Sequence, residues 1–215
     1  MKRVGTLHVL TDTVLQSAYS HEELARLALE GGADVIQFRQ KEGATRELIE
    51  VARRLKRLCE AAGALLIVND RVDVALAADA DGVHLGREDF PIPLARTLLG
   101  EGRLVGGSAA TLAEARRCVD EGADYVGFGP VFPTGSKADA GPVSGLEGLR
   151  RVARAVPVPV IAIGGVDATN APEVLGAGAR GIAVISAVCC QADPREAARR
   201  LRRLLAAREE GGARG

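Results

Sequence analysis

Short apolar runs recur along the chain, with longer amphipathic stretches between them. The runs at 7–10, 65–68, 104–107 and 158–163 are rich in Leu, Ile, Val and small residues. Four more, at 32–37, 80–85, 122–127 and 178–183, share one plan. In each, a small residue ends a helical stretch, a short polar turn follows, and an apolar strand begins. Between the runs, apolar residues return at helical spacing over 20–30, 45–62, 72–78, 91–99, 111–121, 145–155, 168–175 and 194–208. Polar caps mark several starts. Ser20 with Glu23 and Thr111 with Glu114 have capping-box spacing, and Asp193 precedes Pro194.

Continuous apolar strands alternating with helices predict a parallel sheet covered by helices. Eight such units in 215 residues predict the α/β class and a single (β/α)8 TIM barrel, with an open doubly wound sheet as the alternative. No linker or change of composition marks a second domain. The barrel is expected over 1–210, with a flexible Gly/Arg-rich tail at 211–215. Barrel sites gather at the carboxyl ends of the strands. The longest non-helical connection, 129–144, comes after strand six on that side, where a long loop is more often functional than idle.

That geometry singles out residues 68–89. Asn69 and Asp70 come after strand three, and Asp89 after strand four. Neighbouring strands lie about 4.8 Å apart, so the two carboxylates could share one hard cation. The bland alternative makes Asp70 the cap of a helix starting at Arg71, and Asp89 a turn residue before Pro91. Asp73 falls on the helix, while Asp79 and Asp81 precede strand four at the opposite face.

Strand two continues through Gln37, Phe38, Arg39, Gln40 and Lys41. Alternation puts Gln37, Arg39 and Lys41 on one face and Phe38 and Gln40 on the other. Phe38 suits the helix-packed outside, which turns the cations toward the barrel mouth. Unpaired buried charge is costly, so they need either a ligand anion or protein carboxylates. Lysine is scarce beside arginine in this chain, yet Lys41 and Lys137 both fall in loops after strands, where a compact ammonium suits phosphate; Lys2 and Lys56 read as surface residues. Ser108 ends strand five, where its hydroxyl could meet a phosphate oxygen or help begin the next helix. Thr134, Gly135, Ser136 and Lys137 cluster in the long loop, with Pro130 and Pro133 stiffening its start. Gly164 and Gly165 after strand seven, with Ile185 and Ser186 after strand eight, match the place where many barrels hold phosphate on backbone N–H groups.

Composition narrows the partners. Lys+Arg and Asp+Glu are both 28, so nothing electrostatic favours nucleic acid or an anionic membrane. Aromatics are 3%, too few for base-stacking surfaces. No apolar run reaches the ~18 residues of a membrane span, and the amino-terminal run is too short for a signal peptide. A cytoplasmic protein is expected, acting on small molecules, with the oligomeric state left open, a homo-oligomer included. Cys59, Cys118, Cys189 and Cys190 lack metal-site spacing and read as reduced thiols, the adjacent pair being the one candidate for redox sensitivity. His8 and His84 read as barrel interior and His21 as helix surface. The basic residues of 195–208 read as the solvated face of the last helix. No Ser-His-Asp set, P-loop or GxGxxG fingerprint is present.

Several of these motifs, taken together, resemble one family. QFRQK at 37–41, VNDRVDVAL and DGVHLGRED within 68–89, DYVGFGPVFPTGSKADA at 124–140, PVIAIGG at 159–165 and GIAVISA at 181–187 are similar in order and spacing to thiamine phosphate synthases, themselves (β/α)8 barrels. The resemblance implies joining of a hydroxymethylpyrimidine diphosphate to a thiazole phosphate, carboxylated in many bacteria. The products would be thiamine phosphate, diphosphate and, where relevant, carbon dioxide. It implies that Gln37, Phe38, Arg39, Gln40, Lys41 and Asn69 hold the pyrimidine diphosphate, and that Ser108 and Lys137 contact its diphosphate. Asp70 and Asp89 would bind one Mg²⁺ per subunit. Thr134, Gly135, Ser136, Gly165, Ile185 and Ser186 would hold the thiazole phosphate. Arg39, Lys41 and Lys137 would stabilise the departing diphosphate, with no general base.

The chain departs from the family pattern in places. Ala109, Ala110 and Thr111 stand where many members have a His after the strand-five Ser. Arg87 replaces the usual Gln beside the metal loop, and Ser136 is a conservative change. Other functions remain on the same fold. A thiazole tautomerase paralogue should not need both carboxylates and the full QxRxK set. A non-catalytic barrel that senses a thiamine precursor could lose Asp70 or Asp89. A phosphosugar isomerase would carry an acid/base pair instead of a metal pair.

Overall fold

The structure, a computed structural model, describes residues 4–136 and 141–212. Eight strands form: β1 Leu7–Thr11, β2 Val35–Phe38, β3 Leu65–Asn69, β4 Gly82–Leu85, β5 Leu104–Ala109, β6 Tyr125–Phe128, β7 Val160–Ile163 and β8 Gly181–Val184. They close in chain order into one barrel, every neighbouring pair parallel and β8 returning to β1. The eight-unit barrel expected from the pattern is the fold. Helices α1 His21–Glu30, α2 Thr45–Ala61, α3 Val72–Ala77, α4 Ile92–Leu99, α5 Leu112–Asp120, α6 Gly145–Ala155 and α7 Ala171–Gly176 connect the strands. After β8 come the short α8 Ser186–Cys189, which the periodicity did not reveal, and α9 Pro194–Gly212. Four residues are too few to carry a 3.6-residue period. Helix α9 runs two residues into the stretch read as a tail, whose last residues lie outside those described. Among the described residues no helix is long and apolar enough to cross a membrane.

The capping boxes form as spaced: Ser20 and Thr111 each accept from the main-chain N–H three residues on, and Glu23 and Glu114 reach back. Asp193 Oδ1 accepts from Glu196 N at 3.0 Å. The four-fold sequence repeat also has a structural reason. Its aspartates sit at the amino-terminal face and tie neighbouring strands together. Asp34 Oδ2 accepts from Thr6 N and Leu7 N, Asp81 Oδ2 from Leu66 N, and Asp124 Oδ2 from Val105 N. The fourth copy has Arg180 at this place. These carboxylates hold the base of the barrel, far from the end where the loops build a site.

Side-chain alternation splits the core into layers. Ile36, Phe38, Leu66, Val68, Val83 and Val105 face outward into the cluster beneath the helices. Val35, Ile67 and Leu104 fill the barrel near its base, and Leu10, Tyr125, Ile161, Ala183 and Ile185 fill it higher up. Glycine makes room for two large interior rings. A Cβ on Gly106 would lie 2.2 Å from the Tyr125 ring, and one on Gly127 would lie 2.7 Å from His84.

His21 corrects an expectation. It is buried rather than on the helix surface. Nδ1 lies 2.8 Å from Thr11 Oγ1, and the ring meets Phe38 edge-on at 4.9 Å. The spacing was legible, since His21, Leu24, Ala25 and Ala28 form one buried face. The basic face of α9 is likewise only partly solvated: Arg202 Nη1 reaches Thr6 Oγ1 at 2.9 Å, and Arg208 reaches the Ala179 carbonyl.

Candidate active site

A cavity of about 490 Å³ opens at the carboxyl ends of the strands. One side is built by the ends of β2 to β5: Arg39, Lys41, Asn69, Asp70, Asp89 and Ser108. The other is built by the segments just beyond β6 to β8: Thr134, Ser136, Gly165, Ile185 and Ser186. Eleven residues singled out from sequence thus share one cavity. Four others do not reach its wall. Gln37 is buried inside the barrel. Phe38 packs outward on His21. Gln40 turns toward His21. Gly135 projects from the loop, with open space where a Cβ would stand. The period-two alternation that turns Arg39 inward turns Phe38 and Gln40 away. Lys137 lies outside the described residues.

Asp70 owes its place to an unusual backbone. Its φ is 64°, left-handed, a region where Asp and Asn are the commonest non-glycine residues. The main chain there is fixed from both sides: Asp70 N donates to His84 O and Arg71 N to Asn69 O, each at 2.8 Å. The N-cap position read for Asp70 is taken by Arg71 instead. Arg71 makes no side-chain cap bond, and Asp70 stands one residue before it on the left-handed turn. Asp89 does serve a turn: its Oδ2 accepts from Gly86 N at 2.7 Å. A Cβ at Gly86 would lie 2.5 Å from that oxygen, so a larger residue there would push the Asp89 carboxylate out of this bond.

Arg39 has a protein partner. It pairs with Asp12, a buried carboxylate at the end of β1. The registers Leu10↔Gln37 and Thr11↔Phe38 carry the two strands to their ends side by side, so Asp12 meets Arg39 one step further on. Sequence reading passed over Asp12, although it comes after its strand much as Asp70 comes after β3. Arg87 is also paired, Nη1 to Glu114 Oε1 at 2.9 Å. Glu114 already closes the α5 capping box and accepts from Ala110 N at 2.7 Å, so Arg87 anchors the loop after β4 to that helix.

Below Ser108 lies a polar chain in the barrel interior. His84 Nε2 is 2.9 Å from Ser108 Oγ, and His84 Nδ1 is 3.2 Å from the Tyr125 hydroxyl. Burial pushes the Tyr125 phenol above its ordinary pKa and keeps it protonated. His84 is an interior residue, as read from sequence, but it touches a cavity-lining hydroxyl.

Across the cavity the long loop folds onto β7 and β8. Val131 N donates to Ile163 O and Phe132 N to Gly164 O, both at 3.0 Å. The two glycines after β7 permit this approach: Gly164 and Gly165 have φ of 93° and 63°. A Cβ on Gly165 would stand 2.5 Å from Pro133 O. Ser136 Oγ lies 3.3 Å from Ser186 Oγ, which joins the loop to the first residue of α8. Hydroxyls and the start of a helix here suit a phosphate.

Two carboxylates with oxygen-rich surroundings fit a hard cation such as Mg²⁺, which holds few protein ligands and fills its octahedron with waters and substrate oxygens. Among the described residues no three His, Cys, Asp or Glu side chains cluster as a metal cage. On the β2 to β5 side of the cavity wall, the carboxylates that could hold such an ion are Asp70 and Asp89.

Comparison with known proteins shows the family. A family model described as thiamine monophosphate synthase matches residues 7–188. The thiamine-phosphate synthase of Methanocella arvoryzae is 54% identical over 199 residues, 93% of this chain and 94% of that protein. That of Salinibacter ruber is 51% identical, covering 94% and 88%. Among solved structures, thiamine phosphate pyrophosphorylase from Pyrococcus furiosus superposes with a TM-score of 0.87 at 48% identity, over 94% of this chain and 96% of that one. A 3-hexulose-6-phosphate synthase at 22% identity, TM-score 0.69, shares the fold.

Proposed function

Because the chain belongs to the thiamine monophosphate synthase family and is a transferase of that family, we propose how its cavity makes thiamine phosphate. A hydroxymethylpyrimidine diphosphate binds on the β2 to β5 side. Its diphosphate lies against Arg39, Lys41 and Ser108, and Asn69 reaches the pyrimidine. The family resemblance adds Lys137 to the diphosphate. A thiazole phosphate binds on the β6 to β8 side, its phosphate held by Thr134, Ser136, Gly165, Ile185 and Ser186. The observation that supports this pairing is that one cavity joins both halves.

The reaction then needs positioning and charge rather than proton transfer. The bond between the pyrimidine methylene and the diphosphate oxygen breaks, and the oxygen keeps the electron pair. The thiazole nitrogen brings its own lone pair to the methylene, so no protein base is required. Where the thiazole is carboxylated, carbon dioxide is lost. Arg39, Lys41 and the Ser108 hydroxyl meet the charge that grows on the leaving group. Asp70 and Asp89 would hold Mg²⁺, which supplies further positive charge to the diphosphate. Four cysteines free of disulfides fit the reducing cytoplasm, where we place the enzyme.

The test is incubation of the protein with both substrates and Mg²⁺, with analysis of the products. Thiamine phosphate and diphosphate in equal amounts are expected. Isomerisation of the thiazole alone, or binding without turnover, would overturn the proposal.

A further inference from the structure

One buried carboxylate, outside the set of groups assigned to the substrates, joins two parts of the site. Asp12 Oδ1 accepts from Val14 N at 2.8 Å and Leu15 N at 3.0 Å. Its other oxygen takes the Arg39 guanidinium. The Asp12 side chain is 1% exposed and that of Arg39 12%. Arg39 Nε is buried and has no hydrogen-bond partner among the described residues, so within the protein the guanidinium is held mainly through Asp12.

The loop that Asp12 starts is itself fastened. Gln16 Nε2 donates to the carbonyls of Asp12 at 3.1 Å and Tyr19 at 2.9 Å, and Gln16 Oε1 accepts from Tyr19 N at 2.9 Å. At the end of β1, Cys189 Sγ donates to Leu10 O at 3.1 Å. Asp12 is therefore fixed by β1, by its own loop and by α8, which carries Ser186 of the opposite wall.

We infer that Asp12 is a positioning residue for the coupling reaction: it holds Arg39 in the orientation that meets the diphosphate before substrate arrives. The inference rests on the proposal that Arg39 binds that diphosphate. A buried carboxylate next to an anion site should by charge alone weaken anion binding. Its retention there is useful if a fixed guanidinium outweighs that repulsion, because a donor already aimed at the developing charge needs no reorganisation during the reaction. The two cases differ in sign. A positioning role makes loss of the Asp12 charge slow the chemistry. A merely tolerated charge makes its loss neutral or beneficial.

The full chain, Asp12→Asn, Arg39→Ala and the double variant are compared in steady-state coupling, with thermal unfolding alongside. The Asn carbonyl still accepts from the Val14 and Leu15 N–H groups, but its amide opposes Arg39. Asp12→Ser is a second version, since a hydroxyl also caps such a turn and is too short to reach Arg39. The expected result for both is a kcat lower by about tenfold, with KM for the pyrimidine diphosphate changed by less than about threefold. In the Arg39→Ala background the Asp12 substitutions should add nothing. Parent-like or higher kcat in either folded Asp12 variant, beside an impaired Arg39→Ala, would overturn the role of Asp12 and leave that of Arg39 intact. Equal fractional losses in both backgrounds would mean a structural role alone. Full activity in Arg39→Ala would remove the diphosphate assignment of Arg39, and Asp12 with it.

Discussion

His84 Nε2 and Ser108 Oγ stand 2.9 Å apart on adjacent strands β4 and β5. In the tautomer in which the Tyr125 phenol donates to Nδ1, His84 carries its proton on Nε2 and donates to Ser108. The Ser108 hydrogen is then left for an anion in the cavity. Ser108→Ala should lower kcat by about tenfold. His84→Gln should lose a similar factor, and the double variant little more, because both act through one hydroxyl. Steady-state kinetics of the three variants check this. Independent, multiplying losses would break the link.

His8 makes stability depend on pH. It is buried with Nδ1 unpartnered among the described residues, and desolvation lowers its pKa from 6.5 to about 4. The folded protein therefore binds this proton more weakly than the unfolded chain. The neutral-ring contribution is complete above about pH 6.5 and is lost as pH falls toward about 4. Burial lowers the pKa of His21 as well, in the same sense. For His8 the unfolding free energy should fall by up to about 1.4 kcal/mol per pH unit in that window. Denaturant titrations between pH 7 and 4 measure it, and His8→Leu should flatten the slope.

Gly165 tests the phosphate side. Its φ of 63° and the 2.5 Å approach of a Cβ to Pro133 O leave no place for a side chain. Gly165→Ala should cost at least about 1–2 kcal/mol from the left-handed backbone alone. That lowers Tm by about 2–4 °C per kcal/mol in a chain of this size. Because Phe132 and Pro133 must move, Thr134 and Ser136 shift with them. KM for the thiazole phosphate should rise more than KM for the pyrimidine diphosphate.

Much of this was legible in the residues. The eight apolar runs specified the barrel because each strand is buried on both faces and so reads as mostly apolar. Arg39, Asp70, Asp89, Ser108 and Ser186 could be placed because strand ends and period two are sequence properties. What stayed hidden needed register or backbone angle. Asp12 is paired only because β1 and β2 end side by side. Asp70 stands one residue before the N-cap of α3, on a left-handed φ. Phe38 and Gln40 do not reach the cavity wall because the alternation that turns Arg39 inward turns them away. The aspartates of the internal repeat gave no sign of their partners, which lie on the preceding strands.

The central claim is that carboxylates at the ends of β3 and β4 place a cation on the departing diphosphate. The most direct measurement is the rate of thiamine phosphate formation at saturating substrates, across Mg²⁺ concentrations, for the parent, Asp70→Ala and Asp89→Ala. The account predicts loss of turnover in EDTA, its return with Mg²⁺, and a fall of about 100-fold or more in each variant. Unchanged turnover in EDTA, or parent rates in either variant, would contradict it.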